Sequence, residues 1–423
     1  MHPAPIGIDR RPAPAMLVLL ASLYCARGLP SGLFAHSLPV LLRQYGVDLG
    51  MIGLLKLLAL PWMPKALWAP WVDRIASHRL GHHRGWILPL QATVILCIAG
   101  LAFFSPPALF STQWPLLIIL ILLINLAVAT QDIATDGLTV RRLSERWRGL
   151  GNGVQVSGYK LGMIVSGSGL LFALDSLGWN LSLSLIACLL LLCTLPIWRF
   201  AEQQVIPHQP AAAESARGPG LLWAHYRGLL AQPGMLAWMA VVLSFKLGEA
   251  LGSPMVKPML VDQGWRNGAL GQLTLIGSIA GIGGALLGGS LYIRLGAQRS
   301  LLLFGALQAP GIAAMALLVN RGGDTGLVYL VVLAEQMADG MSAVALFAVM
   351  MQRCRPEHEG ADFTFQASAQ ASLAGFVGAA SGLLAQVIGY VPLFVGAEAL
   401  GAKVLAFAVH YCRHVASPPN RTA

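Results

Sequence analysis

Asp132 and Asp136 stand four residues apart in "AVATQDIATDG", residues 127–137. On a helix that spacing puts both carboxylates on one face. Their surroundings are apolar enough for a bilayer interior, where an ionisable side chain costs ~2.5–3.5 kcal/mol at a helix centre on insertion scales. Eleven more charges lie in comparable apolar stretches: the acids Glu249, Glu335, Asp339 and Glu398, and the bases Arg27, Lys56, Lys65, Lys160, Lys246, Lys257 and Lys403. Their summed cost, several tens of kcal/mol on that scale, exceeds a typical folding stability of about 5–15 kcal/mol. These side chains must pair, face water or reach the headgroups. Buried pairs that fix helix register would account for single residues, but register needs far fewer charges. The set points to a water-filled substrate path with proton-titrating carboxylates.

The elements that position these charges are membrane spans. Of 423 residues, 56% are hydrophobic and 11% charged, against about 25% charged in soluble domains. The expected class is an all-α polytopic membrane protein. A helical span needs ~20 apolar residues, and twelve stretches qualify: 16–43, 50–73, 86–105, 114–140, 149–174, 178–199, 234–262, 269–293, 300–319, 325–352, 362–388 and 391–412. The first is read as an uncleaved span, because no small-x-small cleavage site follows it. The Pro- and Ala-rich stretch 200–233 divides the chain into six-span halves, 1–199 and 234–423. Its tail, "LLWAHYRGLL", is expected as a short helix on the membrane surface.

Of the 28 Lys and Arg, eighteen fall on one side of these spans and three on the other. The positive-inside rule then places both termini in the cytoplasm. The net charge of +10 is mostly this topology signal. Basic residues scattered over many short loops give no support to a nucleic-acid partner. The halves also repeat. "DRIASHR" after span 2 matches "IRLGAQR" after span 8, aligning Arg74 with Arg294 and Arg79 with Arg299. A six-plus-six repeat resembles the plan of major facilitator transporters. The aligned loops resemble that superfamily's loop between its second and third spans, which makes Asp73, Arg74, Arg79, Arg294 and Arg299 candidate gating residues.

In that plan the first and fourth spans of each half line a central cavity. Arg27 on span 1 and Lys246 on span 7 sit at equivalent depths, and the acid pair Glu335 and Asp339 on span 10 mirrors Asp132 and Asp136 on span 4. Arg27, Lys65, Lys160, Lys246, Glu249, Glu335 and Asp339 are therefore candidate substrate-binding residues, and Asp132 and Asp136 candidate proton-coupling residues. Lys160 and Asp132 lie about 16 and 13 Å from the cytoplasmic helix ends at 1.5 Å per residue. This similar depth makes them an expected pair, leaving Asp136 as the coupling residue.

Reactive motifs do not stand out. The sequence has no G-x-S-x-G elbow, no P-loop and no H-E-x-x-H. No cofactor or metal is expected, and the proton gradient is the expected driving force. The six cysteines lie in or beside apolar stretches without CxxC spacing and read as small buried hydrophobes. Gly277, Gly281, Gly284 and Gly288 give the small-residue spacing of close helix packing. Pro61, Pro64, Pro254 and Pro258 mark kinks. A polytopic enzyme would gather its polar residues near one membrane face, whereas here they are spread through the depth of matching helices.

Four stretches, "KALWAPWVDR" (65–74), "ATQDIATDG" (129–137), "GYKLGMIVSG" (158–167) and "FKLGEALGS" (245–253), resemble the AmpG muropeptide permease group. The compact length of 423 residues resembles the RhtX/FptX type of ferri-siderophore permease more than the longer muropeptide permeases. That resemblance implies a monomeric inner-membrane importer of a ferri-siderophore related to ferric pyochelin, with protons and the bilayer as its other partners. A muropeptide importer is the alternative. Gly137 stands where muropeptide permeases tend to have Ala, and is expected to widen the cavity.

Overall fold

The computed structural model describes residues 12–47, 58, 61–75, 80–202, 219–321 and 323–414, and these are helical almost throughout. Its principal helices are α1 Pro14–Gln44, α2 Ala69–Arg74, α3 His82–Leu101, α4 Trp114–Arg142, α5 Arg148–Ile164, α6 Leu170–Arg199, α7 Pro219–Leu230, α8 Met235–Asp262, α9 Asn267–Arg321, α10 Thr325–Gln352, α11 Glu359–Ile388 and α12 Tyr390–His414. Nine helical stretches among the described residues are long and apolar enough to cross a membrane. They cover every expected span except the second, whose residues 50–57, 59 and 60 lie outside the described residues. The numbering of these helices therefore differs from that of the spans.

Two of the nine stretches join neighbouring spans. Gly178 in α6 and Gly296 in α9 adopt φ 75° with ψ near 180°. This backbone conformation suits a residue without Cβ, so the continuous apolar pattern reverses there. Pro64 heads a 3₁₀ turn, Pro64–Leu67, and Pro254 sits in another, Ser253–Met255, inside α8. A proline supplies no N–H to the helical ladder. The expected kinks are present at both places. A break at Phe245–Lys246 accompanies them, although no proline marks it.

The chain divides into two units, 1–144 with 154–222 and 355–365, and 145–153 with 223–354 and 366–423. Two segments thus join the unit opposite to the half from which they come in sequence. In the first unit, small residues bring α1 against α5. A Cβ on Gly28 would lie 2.2 Å from the Tyr159 carbonyl, and one on Gly162 2.3 Å from that of Cys25. An apolar core formed by α1, α3, α4 and α6 lies beside this contact, centred on Leu29, Ile98, Ile124 and Leu190. In the second unit the expected glycine stripe does pack closely. A Cβ on Gly284 would meet the Met337 carbonyl at 2.2 Å, and one on Gly340 the Gly281 carbonyl at 2.4 Å.

Candidate functional site

In the first unit α4 turns Asp132 toward α1 and the Pro64–Leu67 turn. Its Oδ1 pairs with Arg27 Nη1 at 2.6 Å, and its Oδ2 with Lys65 Nζ. Asp132 is 2% exposed and Lys65 4%. A carboxylate buried this far needs ionic partners or a proton, and two cations supply the former. The Arg27 guanidinium also lies 4.8 Å from the Trp62 ring centroid and 5.0 Å from that of Tyr159. These contacts hold it in place while leaving its side chain 22% exposed. Arg27, Phe34, Trp62, Asn125, Tyr159 and Met163 line a cavity of about 270 Å³. There Trp62 Nε1 donates to Asn125 Oδ1 at 3.1 Å. The cavity thus offers a cation, an amide and aromatic faces within one wall.

One turn along α4, Asp136 is equally buried but is met by neutral donors. Tyr24 donates to its Oδ1 at 2.7 Å and Gln155 Nε2 at 3.4 Å. Among the described residues it has no ion pair within 4.0 Å. The two aspartates share a helix face and differ in their counter-groups.

The expected partnership of Asp132 with Lys160 is corrected. Depth alone suggested it, but direction decides: neighbouring residues on a helix point about 100° apart. Helix α5 presents Tyr159, not Lys160, to Arg27, and the cations on Asp132 come from α1 and the Pro64–Leu67 turn. The expected role of Gly137 is corrected as well. A Cβ there would lie 3.2 Å from the Gly360 Cα and 3.4 Å from His83 Nε2, so this glycine admits a close backbone approach and does not widen the cavity.

In the second unit the break in α8 exposes Lys246 to many acceptors. Its Nζ lies 2.7 Å from Glu249 Oε2, Asp339 Oδ1 and Ser342 Oγ, and Gln308 Oε1 accepts at 3.4 Å. Glu335, 2% exposed, accepts from Ser253 at 2.8 Å and Gln336 at 2.9 Å. Each unit therefore joins a cation from its first long helix to an acid of its α4 or α10. The register differs: Arg27 takes the first acid of its pair and Lys246 the second. Tyr24, Trp62, Asn125, Gln155, Tyr159, Ser253, Gln308 and Ser342 were missed by sequence reasoning centred on charge. The available signal was position, because Tyr24 and Trp62 each stand three residues before a candidate cation.

The candidate gating residues separate. Asp73, at the end of α2, accepts from the Ala361 backbone N–H. Arg74 is exposed, as are Arg294 and Arg299 on either side of Gly296 in α9. Arg79 lies outside the described residues. Among the described residues no group of three or more His, Cys, Asp or Glu is placed to hold a metal ion.

The family model of the Major Facilitator Superfamily matches residues 20–396. The chain belongs to the Major Facilitator Superfamily. It is accordingly a multi-pass membrane protein of a family of transporters. Over 388 residues this superfamily member is 29% identical to the anhydromuropeptide permease of Escherichia coli (strain K12), a match covering 91% of this chain and 77% of that protein. It is 22% identical over 374 residues to the transporter designated AmpG 4 in Rickettsia conorii (strain ATCC VR-613 / Malish 7), covering 87% and 89% of the two chains. The solved structure of FucP, a Major Facilitator Superfamily transporter in the outward conformation, matches with a TM-score of 0.69 and 15% identity over 95% of this chain and 99% of that one. At that identity the likeness shows the fold alone.

These relatives overturn the ferri-siderophore expectation. It rests on compact length, which reflects loops and termini and not the groups that meet a substrate. Similarity spread over nine-tenths of the chain runs instead to an anhydromuropeptide permease.

Proposed function

We propose that this protein is a secondary transporter that carries an anhydromuropeptide, a sugar–peptide, across the bacterial inner membrane by alternating access. The similarity to an anhydromuropeptide permease along 91% of the chain carries this reading. The cavity chemistry supports it. A partly exposed Arg27 suits a peptide carboxylate, while Trp62, Tyr159 and Asn125 suit sugar faces and amides. In the second unit Lys246, with Glu249 and Asp339 on its ammonium group and Glu335 one turn away on α10, forms a polar cluster of its own, and in the first unit Lys65 shares Asp132 with Arg27. The eighteen-to-three distribution of basic residues supports cytoplasmic termini, with 200–233 as a cytoplasmic linker.

Proton coupling is part of the proposal, and Asp136 is its carrier. A carboxyl held only by neutral donors can exchange a proton without stranding a cation, whereas Asp132 cannot. The deciding experiment is counterflow in proteoliposomes. Labelled anhydromuropeptide should accumulate transiently above its outside concentration in vesicles preloaded with unlabelled compound, and should do no more than equilibrate with empty ones. Counterflow of free N-acetylglucosamine alone, with none of the anhydromuropeptide, would refute the sugar–peptide reading.

A further inference from the structure

We propose that the second unit holds a binding site for a phosphate group, separate from the Lys246 cluster and walled by Arg146, Arg299 and Arg353. A cavity of about 640 Å³ opens among these residues. That size falls within the few-hundred to thousand Å³ range of small-ligand sites. Three chain segments supply the cations. Arg146 comes from the turn Glu145–Trp147, Arg299 follows the Gly296 reversal in α9, and Arg353 caps the C-terminus of α10. Glu145 is the one acid of the lining, so the wall is cationic.

Helix capping accounts for Arg353 but not for Arg299. Arg353 complements the carbonyl end of α10, and its Nη2 donates to Tyr411 Oη at 2.6 Å. Arg299 is exposed and has no hydrogen bond or ion pair among the described residues. Nothing in its own fold explains why it is aimed at the same opening. Gln352 Nε2 donates to Tyr292 Oη at 3.1 Å, which fixes a second polar edge. The floor is apolar and packed, with Trp238, Tyr292 and Leu301 no more than 1% exposed.

This arrangement favours a phosphate over a carboxylate. A guanidinium binds two oxygens of a phosphate side by side, and guanidiniums approaching from separate walls need an anion with several divergent oxygens. A planar carboxylate presents one edge. The phosphate has two candidate sources: the headgroup of an anionic phospholipid, or a soluble phosphate compound.

The test is thermal unfolding of the full chain in detergent, followed by tryptophan fluorescence at constant ionic strength. The probes are short-chain phosphatidylglycerol, sodium pyrophosphate and, as the control without net negative charge, short-chain phosphatidylcholine. A saturable rise in the midpoint with phosphatidylglycerol alone supports the site with a lipid headgroup as occupant; with pyrophosphate, it supports the site with a soluble phosphate. The half-saturating concentration should increase about tenfold in Arg299→Gln, as for a lost hydrogen bond to a charged group, and should increase likewise in Arg146→Gln. Arg294→Gln, on the same reversal but outside the lining, should leave it unchanged. No saturable rise with either anion, an equal rise with phosphatidylcholine, or an equal effect of Arg294→Gln and Arg299→Gln would each overturn the proposal.

Discussion

The Asp73 carboxylate accepts a hydrogen bond from the Ala361 backbone N–H at 2.7 Å, joining the end of α2 to the first turn of α11. The first N–H groups of a helix lack partners within it, and the Asp73 carboxyl oxygen supplies one to Ala361. Gly360 permits the approach, because a Cβ at that residue would lie 2.5 Å from Asp73 Oδ1. Asp73→Asn should weaken the contact by about 0.5–2 kcal/mol, and Gly360→Ala should displace it. Alkylation of a cysteine placed at Ala361 would report this as faster labelling in both variants. Unchanged labelling would show that the contact does not hold the first turn of α11.

Asp132 balances Arg27 and Lys65 together. Asp132→Asn leaves the buried Lys65 and the partly exposed Arg27 without their shared counter-charge and should destabilise the protein by about 3–5 kcal/mol. The Asp132→Asn/Lys65→Met double variant should recover part of that loss, since it removes one stranded charge. Lys160→Gln should not rescue Asp132→Asn. Unfolding midpoints in detergent compare the three, and rescue by Lys160→Gln would restore the pairing expected from helix depth.

Asp136 carries the opposite expectation, because its partners are Tyr24 and Gln155. Asp136→Asn should fold and still catalyse counterflow, which needs no net proton movement. Accumulation driven by an imposed pH gradient should be lost. Proteoliposomes loaded at one pH and diluted into another measure both activities, and retained accumulation removes Asp136 from the coupling role.

The α9–α10 contact tolerates no added bulk at Gly284, where a Cβ would lie 2.2 Å from the Met337 carbonyl. Overpacking typically costs 1–3 kcal/mol. Gly284→Leu should therefore lower the unfolding midpoint more than Gly283→Leu, because a Cβ on Gly283 meets open space. Equal effects would indicate that α9 and α10 separate at little cost.

Glu202 lies just beyond α6 and accepts from the backbone N–H groups of His83 and Arg84 at 3.2 and 3.0 Å. Burial alone would raise its pKa. The hydrogen bond and charge of His83, with those two N–H groups, outweigh burial and bring it down to about 2. The folded value lies below the usual 4.5. The contribution to stability is therefore complete above about 4.5 and is lost as pH falls toward 2. Between those values the unfolding midpoint of the wild type should fall more steeply than that of Glu202→Gln. Parallel profiles would mean the carboxylate is not held as described.

Much of this protein was legible in its sequence because a bilayer makes charge costly. The apolar runs marked the spans, the stranded charges marked the helices that carry the Asp132 and Lys246 ion pairs, and the glycines at 281 and 284 marked the α9–α10 contact. These are local properties that survive in a linear reading. Direction around a helix axis and long-range return of the chain do not survive. Asp132 and Lys160 share a depth, but only packing of α1 and the Pro64–Leu67 turn against α4 determined that Arg27 and Lys65 would meet that carboxylate. Gly137 read as space in a cavity until α11's first turn came to rest on it. The break at Lys246 carries no proline, and only the acceptors gathered around its ammonium group reveal it. The sequence determined which residues could not face lipid; the tertiary structure decided which of them face each other, because pairing depends on angles and distances that spacing along a chain does not contain.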